Sequence, residues 1–202
     1  MQKIGLFNTI KYMDFITLEN KDKSRLVKDV ILHPLKINKD ASGMLVETLR
    51  SDWQGIYGPG REFKMQYYSI TPSGMARDEN VWHLHPNYQE DRFLLVKGEI
   101  ITVVADQREG SLTKGLINLF YMNAGYDPYI VLIPKNTLHG FMVVSKESAI
   151  LLNYPTGLYN PQEEGRVAYE KAQVKMEDGT LFSWNLVRKE FPKFYSSINA
   201  QY

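Results

Sequence analysis

The sequence predicts an all-β domain closed into a sandwich or barrel, with an N-terminal arm before it and a C-terminal helix after it. Three observations predict this. Apolar runs of about four to seven residues recur at about ten-residue spacing between turns rich in Gly, Pro, Asn and Asp, as short strands do in a layered β fold. Two of the four histidines, His83 and His85, stand two apart, ahead of the apolar run Phe93-Leu94-Leu95-Val96. At the strand period of two, both imidazoles share one face of a sheet. Beyond about residue 170 the strand pattern stops, and Leu181–Tyr195 reads as a helix broken at Pro192.

Residues 1–28 carry a charged centre, Glu19 to Lys23, and are expected to form the arm, in part helical. Residues 29–171 are the domain and residues 172–202 a C-terminal extension. Residues 29–37 read as a first strand, which Pro34 places at a sheet edge; His33 beside it is structural or exposed. A turn at Asp40–Gly43 leads into a strand ending at Glu47, and Trp53–Arg61 is a glycine-rich loop. Phe63–Ile70, rich in aromatic residues, is a strand ended by the Thr71–Gly74 turn. Strands at Glu99–Ala105, Leu116–Met122, Tyr129–Ile133, Phe141–Val144 and Ala149–Asn153 follow. The polar stretch Asp106–Gly115 is a turn in which Asp106 and Arg108 pair. Met44, Met65, Met75, Met122 and Met142 fill core, as do the tryptophans, Trp82 being the one that can also edge a site.

A chain of 202 residues suits one domain with extensions. Its 44% hydrophobic content is enough for a sizeable core. A net charge of +1 gives no basis for binding nucleic acid or an anionic membrane. The lack of cysteine excludes disulfides, thiolate zinc sites and a cysteine nucleophile. Neither a signal-peptide pattern nor a run of about 18 apolar residues is present, so a cytoplasmic protein is expected.

A second histidine context follows the strand that ends at Pro134: Pro134, Asn136, then His139-Gly140-Phe141. With His83, His85, Glu90 and Gly98 it resembles the two motifs of the cupin superfamily, which implies a double-stranded β-helix, or jelly roll, with the histidines meeting inside. Within the cupins, four stretches occur in the order and spacing of the dTDP-4-dehydrorhamnose 3,5-epimerase family: Asp40–Glu47, the D-x-R-x-x-S-x-T-x-G run from Asp106 to Gly115, Ile133–Phe141, and Leu158–Gly165. The resemblance covers residues 29–171. It implies a homodimeric, metal-independent jelly roll that inverts carbons beside the 4-keto group of a nucleotide-linked sugar.

Such a reaction needs a base to remove a proton α to the ketone, an acid on the opposite face, and groups that stabilise the enolate. The resemblance makes His83 the base and His139 the histidine of the H-G-F motif; His85 stands where the family usually has Gln. These three are the candidate catalytic residues. Arg77 resembles the arginine shortly before the base, and Tyr159 an aromatic of the substrate pocket. The family's keto-oxygen lysine falls on Asp91, its tyrosine acid on Asn153 and its phosphate arginine on Ser42. The carboxylate that orients the base would be Glu170. Arg77, Asp91, Asn153, Tyr159 and Glu47 are the candidate substrate-binding residues, with the acid displaced to His85 or a nearby tyrosine.

Two other readings stay open. A metal cupin would use His83, His85, Glu90 and His139 to hold a divalent transition metal in place of the missing lysine. A sugar-binding protein would keep the pocket without catalysis. The base reading expects a carboxylate on His83, with His85 and His139 apart from it. The metal reading expects the ring nitrogens to converge.

Overall fold

The computed structural model describes residues 13–199. The elements are β1 (Phe15–Ile16), β2 (Ile31–Pro34), β3 (Ile37–Asp40), β4 (Gly43–Val46), β5 (Tyr67–Thr71), β6 (Ala76–Arg77), β7 (Val81–Leu84), β8 (Asp91–Lys97), β9 (Glu99–Ala105), β10 (Ile117–Asn123), β11 (Tyr129–Ile133), β12 (Leu138–Val143), β13 (Ala149–Asn153), β14 (Gly165–Ala168), α1 (Tyr169–Ala172) and α2 (Trp184–Asn199). One sheet runs β1-β10-β9-β12-β7-β14, with β6 also paired to β12; the other runs β2-β11-β8-β13-β5. β3 and β4 form a separate ribbon. The result is a cupin jelly roll with a C-terminal helix. β2 lies at a sheet edge, where Pro34 needs no ladder partner for its missing N–H.

The central strands β8 to β12 read as near-continuous apolar runs because both their faces are covered. Between the sheets pack Phe93, Leu95, Ile100, Val104, Phe120, Met122, Val131, Ile133, Phe141 and Leu151. The outer face of the larger sheet is covered by α2 through Trp184, Val187 and Phe191. The outer face of the smaller one, Leu94, Ile130 and Leu132, is covered by the loop carrying Trp53 and Ile56. At Gly98 the chain leaves one sheet for the other, with φ +83° and a would-be Cβ 2.9 Å from Ser145 Oγ. Gly98→Ala is expected to destabilise the fold by about 1–3 kcal/mol, read as a shift in denaturant midpoint.

Several expectations change here. Residues 1–12 of the arm lie outside the described residues; beyond them Phe15–Ile16 pairs in parallel with β10, and Lys21–Lys23 forms the one helical turn of the part that is described, a 3-10 turn. The Phe63–Ile70 strand is confined to β5, and β6 and β14 are too short to have left a pattern. Pro192 sits inside α2 without breaking it. The helix starts at Trp184, and residues 184, 187, 191, 194 and 198 hold one apolar face on the sheet, which offsets the hydrogen bond proline forgoes. Met44 and Met75 are exposed, not core. Trp82 packs on Tyr169 and Phe182, on the side of the sheet away from the histidines. Among the described residues no helix is long and apolar enough to cross a membrane.

The Asp106 turn is structural, as expected. Its buried carboxylate accepts from Arg108 Nε at 2.9 Å, Ser111 Oγ at 2.5 Å and Thr113 Oγ1 at 2.6 Å. Burial opposes the charge, but these donors outweigh it and hold the carboxyl far below the usual aspartate range. A lowered pKa means this stabilisation is complete above the ordinary aspartate pKa and is lost only as pH falls through the lowered one. Asp106→Asn is expected to cost about 2–4 kcal/mol at neutral pH, less in strong acid, by urea melts across pH.

Candidate active site

A cavity of about 370 Å³ lies between the two sheets. His83, His139, Arg77 and Arg166 line it from the larger sheet; Tyr67, Ser69, Asp91 and Phe93 line it from the smaller; Gln89, Tyr159 and Glu164 come from loops. Strand register explains the gathering. His139 lies directly opposite His83 across the β12–β7 pair, and β14 sets Arg166 on the other side of His83. On the facing sheet Asn153 is flanked by Phe93 and Tyr67.

The three imidazoles form one cluster, with a ring nitrogen of each within 4.8 Å of the others. His83 Nε2 is 3.2 Å from His85 Nε2. Asp91, 2% exposed, stands beneath them. Its Oδ2 is 3.2 Å from Nε2 of both His85 and His139. Its Oδ1 accepts from Gln89 Nε2 and Asn153 Nδ2, each at 2.9 Å. Asn153 Nδ2 also donates to Tyr67 Oη at 2.8 Å. His139 Nδ1 donates to the Thr137 carbonyl at 3.1 Å, and the Gln89 amide nitrogen is 3.0 Å from His85 Nε2.

Burial works against the Asp91 charge but is outweighed by the His139 and His85 hydrogen bonds, so the carboxyl is held well below its usual range. Burial likewise opposes charge on His85, and the Asp91 hydrogen bond reverses it, raising His85 above an ordinary histidine. Burial first, then the charges of His139 and His85, push His83 down to about 3, leaving that ring neutral. Burial and the Asp91 charge push the Tyr67 phenol up to about 12, against the Asn153 hydrogen bond, so it stays protonated.

Of the residues singled out from sequence, His83, His139, Arg77, Asp91 and Tyr159 line the cavity, and His85 and Asn153 are bonded directly to Asp91. Glu47 is not among them; it is exposed to solvent and pairs with Arg50 at 2.7 Å. Glu90 is not part of the cluster either, which corrects the four-residue metal set. It points away from the histidines, and both its oxygens bind Arg61, at 2.5 and 2.8 Å. Asp91 supplies the carboxylate at the cluster, and it meets His85 and His139 rather than His83. Glu170, the expected orienting carboxylate, is exposed on α1 and outside the cavity lining. Sequence reasoning passed over Tyr67, Gln89 and Arg166. Alternation along Met65, Tyr67 and Ser69, all of which line the cavity, was the available signal for Tyr67.

The dTDP-4-dehydrorhamnose 3,5-epimerase family model matches residues 24–189. A probable low-salt glycan biosynthesis epimerase of Haloferax volcanii, Agl13, is 37% identical over 147 residues, covering 71% of this chain and 89% of that protein. A dTDP sugar isomerase from Desulfovibrio desulfuricans shares the fold, with a TM-score of 0.67 at 21% identity over 79% of this chain and 92% of that one. So does a dTDP-6-deoxy-D-glucose-3,5-epimerase from Legionella pneumophila solved with dTDP-4-keto-L-rhamnose, at TM-score 0.64 and 23% identity over 76% and 80%.

Proposed function

The chain belongs to the dTDP-4-dehydrorhamnose 3,5-epimerase family, and from that membership we propose that it epimerises a nucleotide-linked 4-keto-6-deoxy sugar in the cavity between its sheets. Inversion at carbon requires a proton to leave one face and another to arrive on the opposite face. One observation carries the reading: His83 and Tyr67 line the same cavity from opposite sheets. His83 is the base. Its imidazole takes the proton from the carbon beside the ketone, and the C–H electron pair moves into the enolate. Tyr67 is the acid. It gives its hydroxyl proton to the other face, the ketone re-forms, and water returns the proton to Tyr67 and takes one from the His83 ring.

The amide at Asn153 fits this arrangement. Asn153 cannot cycle a proton, but it donates to Tyr67 Oη and so leaves the phenol O–H free to point into the cavity. Arg77 and Arg166 at the same cavity suit the diphosphate of a nucleotide sugar. The test is incubation with a dTDP-linked 4-keto-6-deoxyhexose in heavy water, followed by NMR. Solvent deuterium at an inverted carbon beside the ketone is expected; binding without exchange would instead favour a sugar-binding protein.

Association into a homodimer belongs to the same reading. Met44 and Leu45 on the β3–β4 ribbon and Tyr68 and Ile70 on edge strand β5 are exposed apolar side chains suited to a second copy. Light scattering at micromolar concentration is expected to give twice the chain mass, and a monomer would contradict it.

A further inference from the structure

The cavity has two chemically different ends. Its mouth is marked by Arg77, Arg166 and Tyr159, all exposed to solvent. Its floor is apolar, and strand periodicity puts it there. Two residues on from Asp91 along β8 stands Phe93, and two on from His139 along β12 stands Phe141. Two residues back from Asn153 along β13 stands Leu151. A spacing of two keeps each on the same face as its polar neighbour. All three line the cavity and belong to the core between the sheets, at 6%, 4% and 2% exposure for Phe93, Phe141 and Leu151. The Phe93 ring meets Phe141 edge to face at 6.1 Å and His139 edge to face at 6.0 Å, so the apolar floor adjoins the imidazoles directly. Ser69, which pairs with Leu151, is half-buried on edge strand β5 and so belongs to the rim of the cavity rather than to its floor.

The connectivity of a hexopyranose decides which substituents reach that floor. The nucleotide hangs on C1 and, as the large and charged part, stays at the mouth with the two arginines. C4 lies across the ring from C1, and C6 is carried on C5 beside it. The C4 oxygen and C6 therefore both enter the deep end. The oxygen takes the side of the imidazoles, and C6 is left to the apolar side chains. A methyl group gains from that contact, whereas a hydroxymethyl group gives up its hydrogen bonds to water for no partner. We propose that Phe93, Phe141 and Leu151 form the subsite for C6 and select a 6-deoxy sugar over its 6-hydroxy counterpart. The inference rests on the epimerase reading for the way the sugar enters.

The probes are dTDP-6-deoxyglucose and dTDP-glucose, which differ only in the oxygen on C6 and, lacking a ketone, bind without turnover. Calorimetric titration of the unmodified protein is expected to give an affinity about 10–100-fold higher for the 6-deoxy sugar. Leu151→Thr and Phe141→Tyr each set a hydroxyl on the floor, and either should cut that preference by at least about fivefold. Circular dichroism melts of both variants confirm that the change is not loss of fold. Ser69→Ala should keep the preference. Equal affinities in the unmodified protein, tighter binding of dTDP-glucose, a preference that neither floor variant alters, or one lost in Ser69→Ala would overturn the proposal and leave the epimerase reading in place. Failure of both nucleotide sugars to bind would sink the epimerase reading and this inference with it.

Discussion

Replacing His83 with alanine is expected to lower deuterium exchange into a 4-keto nucleotide sugar by about 10³-fold, the size of effect a positioned base supplies. The fall should appear in kcat rather than KM, because the lost contact matters only as the proton moves. The substitution is a clean one. Nδ1 of His83 has no hydrogen-bond partner, so nothing is orphaned there, and His85 keeps Gln89 and Asp91. The fold should melt within a few degrees of the unmodified protein. Added imidazole small enough to enter the vacated space should restore part of the exchange. Exchange near the original rate in this variant would mean that the base is another group.

Tyr67→Phe separates removal of the proton from its return. The change deletes one oxygen and leaves Asn153 Nδ2 its second acceptor, Asp91 Oδ1. His83 can still take the substrate proton, trade it with solvent and hand it back to the face it came from. Deuterium wash-in with retained configuration is therefore expected to persist, while the inverted product falls by about 10²–10³-fold. Because the phenol is pushed up to about 12, chiefly by burial, its acid form is available throughout the neutral range. Inversion in the original protein should therefore show no alkaline limb near pH 8 or 9 from this group. Unchanged inversion in the phenylalanine variant would move the acid elsewhere.

The architecture was legible because turn residues punctuate the chain between apolar runs, and because His83 and His139 each sit on a strand whose neighbours are buried. Register was not legible, and the missing parts of the site depend on it. Tyr67 and Tyr68 are adjacent, chemically alike and both partly open to solvent, yet only Tyr67 lines the cavity; the pairing of β5 with β13 decides which. Glu90 and Asp91 pose the same problem. β8 begins at Asp91, whose side chain shares the inner face with Phe93 and Leu95, while Glu90 leaves the strand toward Arg61. The side chains of α2 carried the helical period, but Pro192 outweighed it in the sequence because the sheet packed against them is distant in the chain.

The account stands on a base and an acid facing one another across a single cavity. A crystal structure of the protein with a dTDP-linked hexose tests that most directly. The sugar ring is expected between the sheets, with the His83 imidazole against one face of a ring carbon and the Tyr67 hydroxyl against the other. A sugar bound outside the cavity, or both groups on the same face of the ring, would contradict the account.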